Sequence, residues 1–347
     1  MTIVSSQRLA VTGKTGAKRM FRGIVICLLL TVLLFTISPA QAQQPRKVPL
    51  IGYLSGGSLS SNPARREAFR QGLHELSYVE GKNIVIEWRS ADGKLDRLPA
   101  LASELVRLKV DIIVTSGGAV TRAAKQATSA IPIVMTNDPD PVANRFVASL
   151  SHPGSNITGL STLAPELSGK RLEVLKEVVP TLSRVAVLGT STTAGYAQII
   201  RELEPAAKTL KMQLQYLDVL DSKEIETAFR AASKGRAEAV ITLGGGVLAF
   251  QRSQIAALAR KHRLPVMYHA SQFVVEGGAL MYYGVNESAL DRRAATYVDR
   301  ILKGANPADL PVEQPTKFEF IVNLKAAKQI GLTIPPNVLA RADKVIR

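Results

Sequence analysis

The chain has 347 residues, 46% hydrophobic, 21% charged and only 5% aromatic, which is enough for two domains with sizeable, mostly aliphatic cores. Its formal net charge is +16, yet Lys and Arg are spread over helical patterns with acids interleaved. The dense basic stripe and reading motif of a nucleic-acid binder are missing. The single cysteine, Cys27, excludes a disulfide framework.

Residues 1–42 differ from the rest. They hold Arg8, Lys14, Lys18, Arg19 and Arg22 and no acid, then an apolar run Gly23–Ile37, then Ser38-Pro39-Ala40-Gln41-Ala42. A basic start, an apolar run short for a membrane span and an A-x-A end read as a secretory signal peptide cut after Ala42. An uncleaved anchor is the other reading of the run, and Met20 is an alternative start. Cleavage would remove Cys27 and five basic residues, leaving a formal charge of +11 on a periplasmic product.

After this leader the spacing predicts a strand at Val48–Leu54, a Gly/Ser loop to Asn62 and a helix over Pro63–Leu76 with Phe69, Leu73 and Leu76 on one side. Asn83–Trp88 alternates as a strand, and Asp96–Leu108 repeats leucine at helical intervals. Val110–Gly118 is a β-branched run ending in a small-residue turn. A helix follows over Ala119–Thr128, then a strand at Ile131–Met135 ending in Asn137-Asp138-Pro139. A short helix is expected from Val142 to Leu150, and Ile157–Ser161 is a strand or crossover.

The same order then recurs. Pro165–Val179 is a helix, Ser183–Gly189 a strand and Thr190–Ala194 a polar loop. Helix Tyr196–Leu210, strand Gln213–Val219 and helix Ser222–Ser233 come next, then strand Ala237–Gly246, helix Ala249–His262 and strand Leu264–Tyr268. Ile131-Pro132-Ile133 matches Leu264-Pro265-Val266 at an offset of about 133 residues. One α/β lobe made twice, each a doubly wound parallel sheet with right-handed crossovers, accounts for this order.

A strand at Gly277–Gly284, a helix at Ser288–Leu302, a proline-rich stretch and a strand at Phe318–Val322 remain. Asn323 caps a helix to Ile330 that stops at Gly331. These extra elements imply that the chain recrosses between lobes, at Thr158–Thr162, Tyr282–Asn286 and Asp309–Thr316. Lobe 1 is then 43–160 with 284–312, and lobe 2 is 161–283 with 313–347. Gly284 would supply backbone freedom for hinge bending.

Enzyme signatures are absent: no G-x-S-x-G, G-x-G-x-x-G or Walker loop, and no ligand-type spacing among His74, His152, His262 and His269. No catalysis, cofactor or metal is expected. Small polar residues at strand ends form the candidate site instead. The first copy gives Ser55, Gly56, Ser58, Ser116, Gly117, Thr121, Asn137, Asp138 and Asp140. The second gives Thr190, Ser191, Thr193, Gly245 and Tyr268, and the crossings add Thr162 and Tyr283. A helix-cap role explains each Ser or Thr about as well, but their convergence from two copies favours a binding site. The helix start after Ser116-Gly117 should hold a ligand carboxylate or another acidic group, with Asp138 or Asp140 orienting an amino or hydroxyl group. Gly244–Gly246 is either an anion cradle or a tight turn.

EAFRQGLHELSYVEGKNI, VDIIVTSG, NITGLS, ELSGKRLEVLKEVVP, HRLPVMY, VEGGALMYYGVN and the tail NLKAAKQIGLTIPPNVLARADKVI resemble the ABC-transporter substrate-binding proteins of the tryptophan/tyrosine-binding-like family. The resemblance implies a type I periplasmic-binding-protein fold with three crossovers. It also implies capture of a small polar, amino-acid-like or aromatic carboxylate by a monomer, and delivery to a membrane permease and its ATPase. A periplasmic sensor that presents bound solute to a membrane signalling protein is the alternative. Gly189-Thr190-Ser191 and Gly244–Gly246 depart from the family's Asn-Pro and Asp at those positions, so its amino-acid specificity is not carried over.

Overall fold

The computed structural model describes residues 47–347 apart from positions 59, 61, 62 and 194. The leader assigned to residues 1–42 lies outside the described residues.

The β-branched runs form parallel strands. β1 (Leu50–Ser55), β2 (Val85–Ser90), β3 (Ile112–Ser116), β4 (Ile133–Asp138) and β5 (Ile157–Ser161) build one sheet in the order β2-β1-β3-β4-β5. All of its pairings are parallel. Three helices connect them: α1 (Pro63–Glu75), α2 (Leu98–Arg107) and α3 (Gly118–Ala127). Alternation along β3 sends Ile112 and Val114 to one core and Ile113 to another. A strand buried on both faces reads as a continuous apolar run for this reason.

The second sheet repeats that order and extends it. β6 (Arg184–Gly189), β7 (Gln213–Asp218), β8 (Ala239–Thr242), β9 (Val266–Tyr268), β10 (Met281–Val285), β11 (Phe318–Asn323) and β12 (Lys344–Ile346) lie in the order β12-β11-β10-β9-β8-β6-β7. This sheet is mixed, because β11 runs antiparallel to β10. Helices α4 (Ala164–Val178), α5 (Tyr196–Thr209), α6 (Glu224–Lys234) and α7 (Arg252–Lys261) cover its two faces. In both lobes the strand order reverses direction about the first strand. Such sheets bind ligands beyond the strand carboxyl ends at that switch point.

The chain passes between the sheets three times. β5 leads into α4 through Thr162 and Leu163, and β10 leads through Asn286 into α9 (Glu287–Leu302). α9 returns to the first lobe, where Leu290, Ala294, Tyr297 and Val298 pack with Ile51, Tyr53 and Phe69. Asn286 starts it, its side chain accepting from the Ala289 amide. The following segment lies along β5, with Ser161 N–H donating to Glu313 O and Glu313 N–H to Gly159 O, before the chain reaches β11.

Some expectations are corrected. Residues 142–150 form turns and bends, not a helix: Arg145 adopts φ 57°, which a helix does not tolerate, and Phe146 N–H folds back to Pro141 O. Ile157–Ser161 is a fully buried strand, and the crossing begins after it. The expected helix over Ala249–His262 is a 3₁₀ turn Gly246–Phe250 followed by α7. The short helices α8 (Gln272–Val275) and α11 (Pro336–Leu339) and the strand β12 have too few residues to show a period. Asn323 caps α10 (Leu324–Gln329) by accepting from the Ala326 amide, and the chain turns at Gly331 with φ 73°. Among the described residues no helix is long and apolar enough to cross a membrane.

Candidate functional site

Both sheets point their carboxyl ends at one cleft of about 710 Å³, walled by the loops after β1, β3 and β4 on one side and after β6, β8 and β9 on the other. From the first lobe, Ser55, Gly56, Ser58, Ser116, Gly117 and Asn137 line it; Thr162 at a crossing, and Thr193 and Gly245 from the second lobe, complete the expected set that reaches it. Ser55 and Ser116 end neighbouring strands in register. Ser55 Oγ donates to Gly57 O (3.1 Å), and Ser90 Oγ donates to the same carbonyl (2.7 Å), which pins the β1 loop open toward the cleft. Gly117 turns the chain into α3 at φ 97°, a conformation that favours glycine, and no side chain caps the helix.

Other expected residues build the walls without facing the cleft. Thr121 is fully buried: it donates to Gly117 O (3.2 Å) and shares a bond with Thr115 (2.8 Å), so it shapes the β3 turn. Asp140 accepts from the Ala143 amide (2.9 Å) and holds the β4 loop. Asp138 is also fully buried. Its Oδ1 accepts from Asp140 N–H (3.0 Å) and Asn144 Nδ2 (2.9 Å), while its Oδ2 has no partner among the described residues. Burial raises the Asp138 carboxyl to about 7. That carboxyl lies 3.1 Å from where a Cβ on Gly118 would stand, so the start of α3 already has an acidic group packed beneath it. Thr190 is buried and donates to Val219 O (2.8 Å), and Ser191 bonds Asp218. Tyr268 is buried against Phe273, and Tyr283 stacks on Phe318. Gly244–Gly246 gives a tight turn in which Gly245, at φ 90°, passes close to Thr193.

Sequence reasoning missed a set of charged and polar residues. Arg65, Arg171, His269, Gln272 and Glu287 all line the cleft where α1, α4, α8 and α9 meet the crossings. Arg65 is buried, bonding Asp291 Oδ2 through Nε (2.5 Å) and Glu287 Oε2 through Nη1 (3.0 Å); Tyr53 OH donates to Asp291 Oδ1 (2.9 Å). Burial disfavours the Arg65 charge, but Asp291 and Glu287 outweigh it and hold the guanidinium above its usual range. Arg171 is also buried, and burial lowers its guanidinium. The sequence carried a signal. Arg171 falls in line with Leu167, Val174, Leu175 and Val178 on the apolar stripe of α4, and Arg65 sits one helical turn before Phe69. A charged residue on a buried stripe needs a partner or a ligand.

Among the described residues no group of three His, Cys, Asp or Glu side chains is placed to hold a metal ion.

The sequence pattern of the family described as ABC transporter substrate binding protein matches residues 47–346. A curated relative, the tyrosine-binding protein of Clostridioides difficile, is 24% identical over 267 residues, spanning 77% of this chain and 76% of its own. Among solved structures, a conserved domain protein from Vibrio cholerae superposes with a TM-score of 0.80 at 28% identity, covering 86% of this chain and 100% of its own. An ABC domain from Streptococcus pneumoniae in complex with L-Trp gives a TM-score of 0.79 at 23% identity, covering 86% and 99%. The two-lobed α/β architecture is that of the type I periplasmic binding proteins. With a cleft between two doubly wound lobes and a family pattern spanning nearly every described residue, the chain belongs to the ABC transporter substrate-binding protein family.

Proposed function

We propose that this protein is the solute receptor of an ABC importer, exported to the periplasm by cleavage after Ala42. It captures an amino-acid-like or aromatic carboxylate between its lobes and delivers it to a membrane permease and its ATPase. The observation that carries this reading is the cleft shared by the carboxyl ends of both sheets, with three chain passages as the hinge. Ser55, Gly56, Ser58, Ser116, Gly117, Asn137, Thr162, Thr193 and Gly245 give it hydrogen-bonding groups, and Leu95, Leu243, Phe250 and Phe273 give it apolar ones, the mixture expected of a small-molecule site. Relatives named for tyrosine and solved with L-Trp support an aromatic amino acid as the first candidate.

A thermal-shift screen of the purified protein against amino acids, aromatic acids and small carboxylates tests this. A ligand at a hundredfold excess over Kd adds about 2.7 kcal/mol to stability, a displacement of several degrees. A screen in which no carboxylate moves the melting temperature would overturn the reading.

A further inference from the structure

Arg171 is 6% exposed and lines the cleft. Its Nε donates to Tyr283 O on the crossing strand (2.8 Å), and its two terminal nitrogens meet no acceptor among the described residues. No carboxylate among those residues pairs with it, although Arg65 beside the same cleft has two. A buried guanidinium with one arm bonded to backbone and two arms idle is a fixed donor fork awaiting an anion.

An acceptor stands nearby. Both donors to Glu287, Arg65 Nη1 (3.0 Å) and Gln272 Nε2 (2.6 Å), go to Oε2, and Oε1 receives no donor from the described residues. Glu287 opens α9 immediately after the second crossing, and Arg171 is tied to that crossing through Tyr283. The Glu287 charge acts on Arg171, partly offsetting the effect of burial, yet the two do not form an ion pair. Glu319, which faces Gly284 across the β10–β11 pairing, bonds Asn286 (3.2 Å) and does not line the cleft.

His269 adds a second donor. Its backbone N–H donates to Thr242 Oγ1 (3.2 Å), and its Nδ1 lies 2.9 Å from the same oxygen. Thr242 is fully buried, so its hydroxyl proton goes to Nδ1, and the ring proton sits on Nε2. Burial, with the Arg171 charge beside it, lowers the imidazole to about 3, so it is neutral at physiological pH.

From these positions we infer that Arg171 and Glu287 hold the α-carboxylate and α-ammonium of a zwitterionic amino acid at the crossing between the lobes, with His269 Nε2–H as a further donor to the carboxylate. The least exposed charges at the crossing favour a zwitterion over a simple anion. Arg65, Arg171, Glu287 and Asp291 are two cations and two anions, and a ligand of zero net charge leaves that local sum unchanged. Asp92, Arg122 and Arg252 also line the cleft but are more exposed. The α3 terminus, with Asp138 packed under Gly118, serves the rest of the ligand. The inference rests on the receptor reading and narrows its ligand class.

Isothermal titration calorimetry of the purified protein tests it with L-tryptophan, indole-3-propionate and tryptamine, and with L-tyrosine, 3-(4-hydroxyphenyl)propionate and tyramine. The better amino acid should bind at least about tenfold more tightly than its deaminated acid or its amine. Glu287→Gln should lose at least about tenfold toward the amino acid while leaving the deaminated acid unchanged. Arg171→Gln should lose both acids and leave the amine unchanged. Amino-acid affinity that survives both substitutions, or a deaminated acid that binds wild type as tightly as its parent, overturns the inference and leaves the receptor reading standing. If wild type binds none of the six, the ligand class falls with it. Should either variant fail to fold by circular dichroism, the three-way comparison on wild type decides alone.

Discussion

Gly284, which the sequence places at a hinge, packs against Tyr282 and Arg171, and one methyl group tests that packing. Its backbone lies outside the left-handed region, so alanine fits the conformation. The space does not fit. A Cβ there would stand 2.4 Å from Tyr282 Oη, 2.7 Å from Tyr282 Cζ and 3.1 Å from Arg171 Nη2. Tyr282 is almost fully buried and donates to Val285 O (2.7 Å), so its ring moves only by loosening that bond and the surrounding packing. Overpacking of this kind costs about 1–3 kcal/mol, which at this size lowers the melting temperature by several degrees. Arg171 is pushed as well. If its fork loses one charge-assisted bond to the ligand, affinity falls by about 1.5–3 kcal/mol, or ten- to a hundredfold. Differential scanning calorimetry and titration calorimetry on Gly284→Ala measure the two effects separately. Unchanged melting temperature and unchanged affinity would refute the reasoning, because the methyl would then have found room.

Three more outcomes are expected. Asp138, raised to about 7 by burial, holds a proton in the folded state that the unfolded chain releases near 4, so its contribution falls by about 1.4 kcal/mol per pH unit between those values; melting curves from pH 4 to 8 should show Asp138→Asn gaining on wild type as pH rises, and parallel curves would contradict the assignment. Ser116→Ala should weaken ligand binding by no more than about tenfold, the scale of a neutral hydrogen bond, and less than Arg171→Gln in the same titration; the reverse order would return the carboxylate to the α3 turn. Mass spectrometry of the exported protein should give an amino terminus at Gln43, against an intact Met1 or Met20 start if the leader is retained.

The architecture was legible because parallel strands buried on both faces are written as unbroken apolar runs, such as Ile112–Val114 and Val185–Leu188, and because the same order occurs twice. The strand-end residues Ser55, Ser116 and Gly117 followed from that order. What the period could not show was short or non-helical: the turns at 142–150, the 3₁₀ turn ahead of α7, and β12. Asp138 stands at the end of β4, where alternation decides whether a side chain meets the cleft or the core, and Thr121 stands in the first turn of α3, where the helix face decides it; both point inward. Arg171 and Glu287 were overlooked for a different reason. Helical spacing alone does not tell a solvated charge from one that faces a cleft, and only the depth of α4 and α9 in the fold turns a charged residue beside an apolar stripe into a binding group. Their approach also depends on the crossings, which bring residues 116 positions apart to one wall.

The most direct measurement is a crystal structure of the protein grown with the aromatic amino acid that raises its melting temperature most. The account predicts one ligand molecule in the cleft between the carboxyl ends of the two sheets, its carboxylate within hydrogen-bonding distance of Arg171 Nη1 or Nη2 and its ammonium within reach of Glu287 Oε1. A ligand bound outside that cleft, or bound in it with Arg171 and Glu287 facing water, would contradict the account.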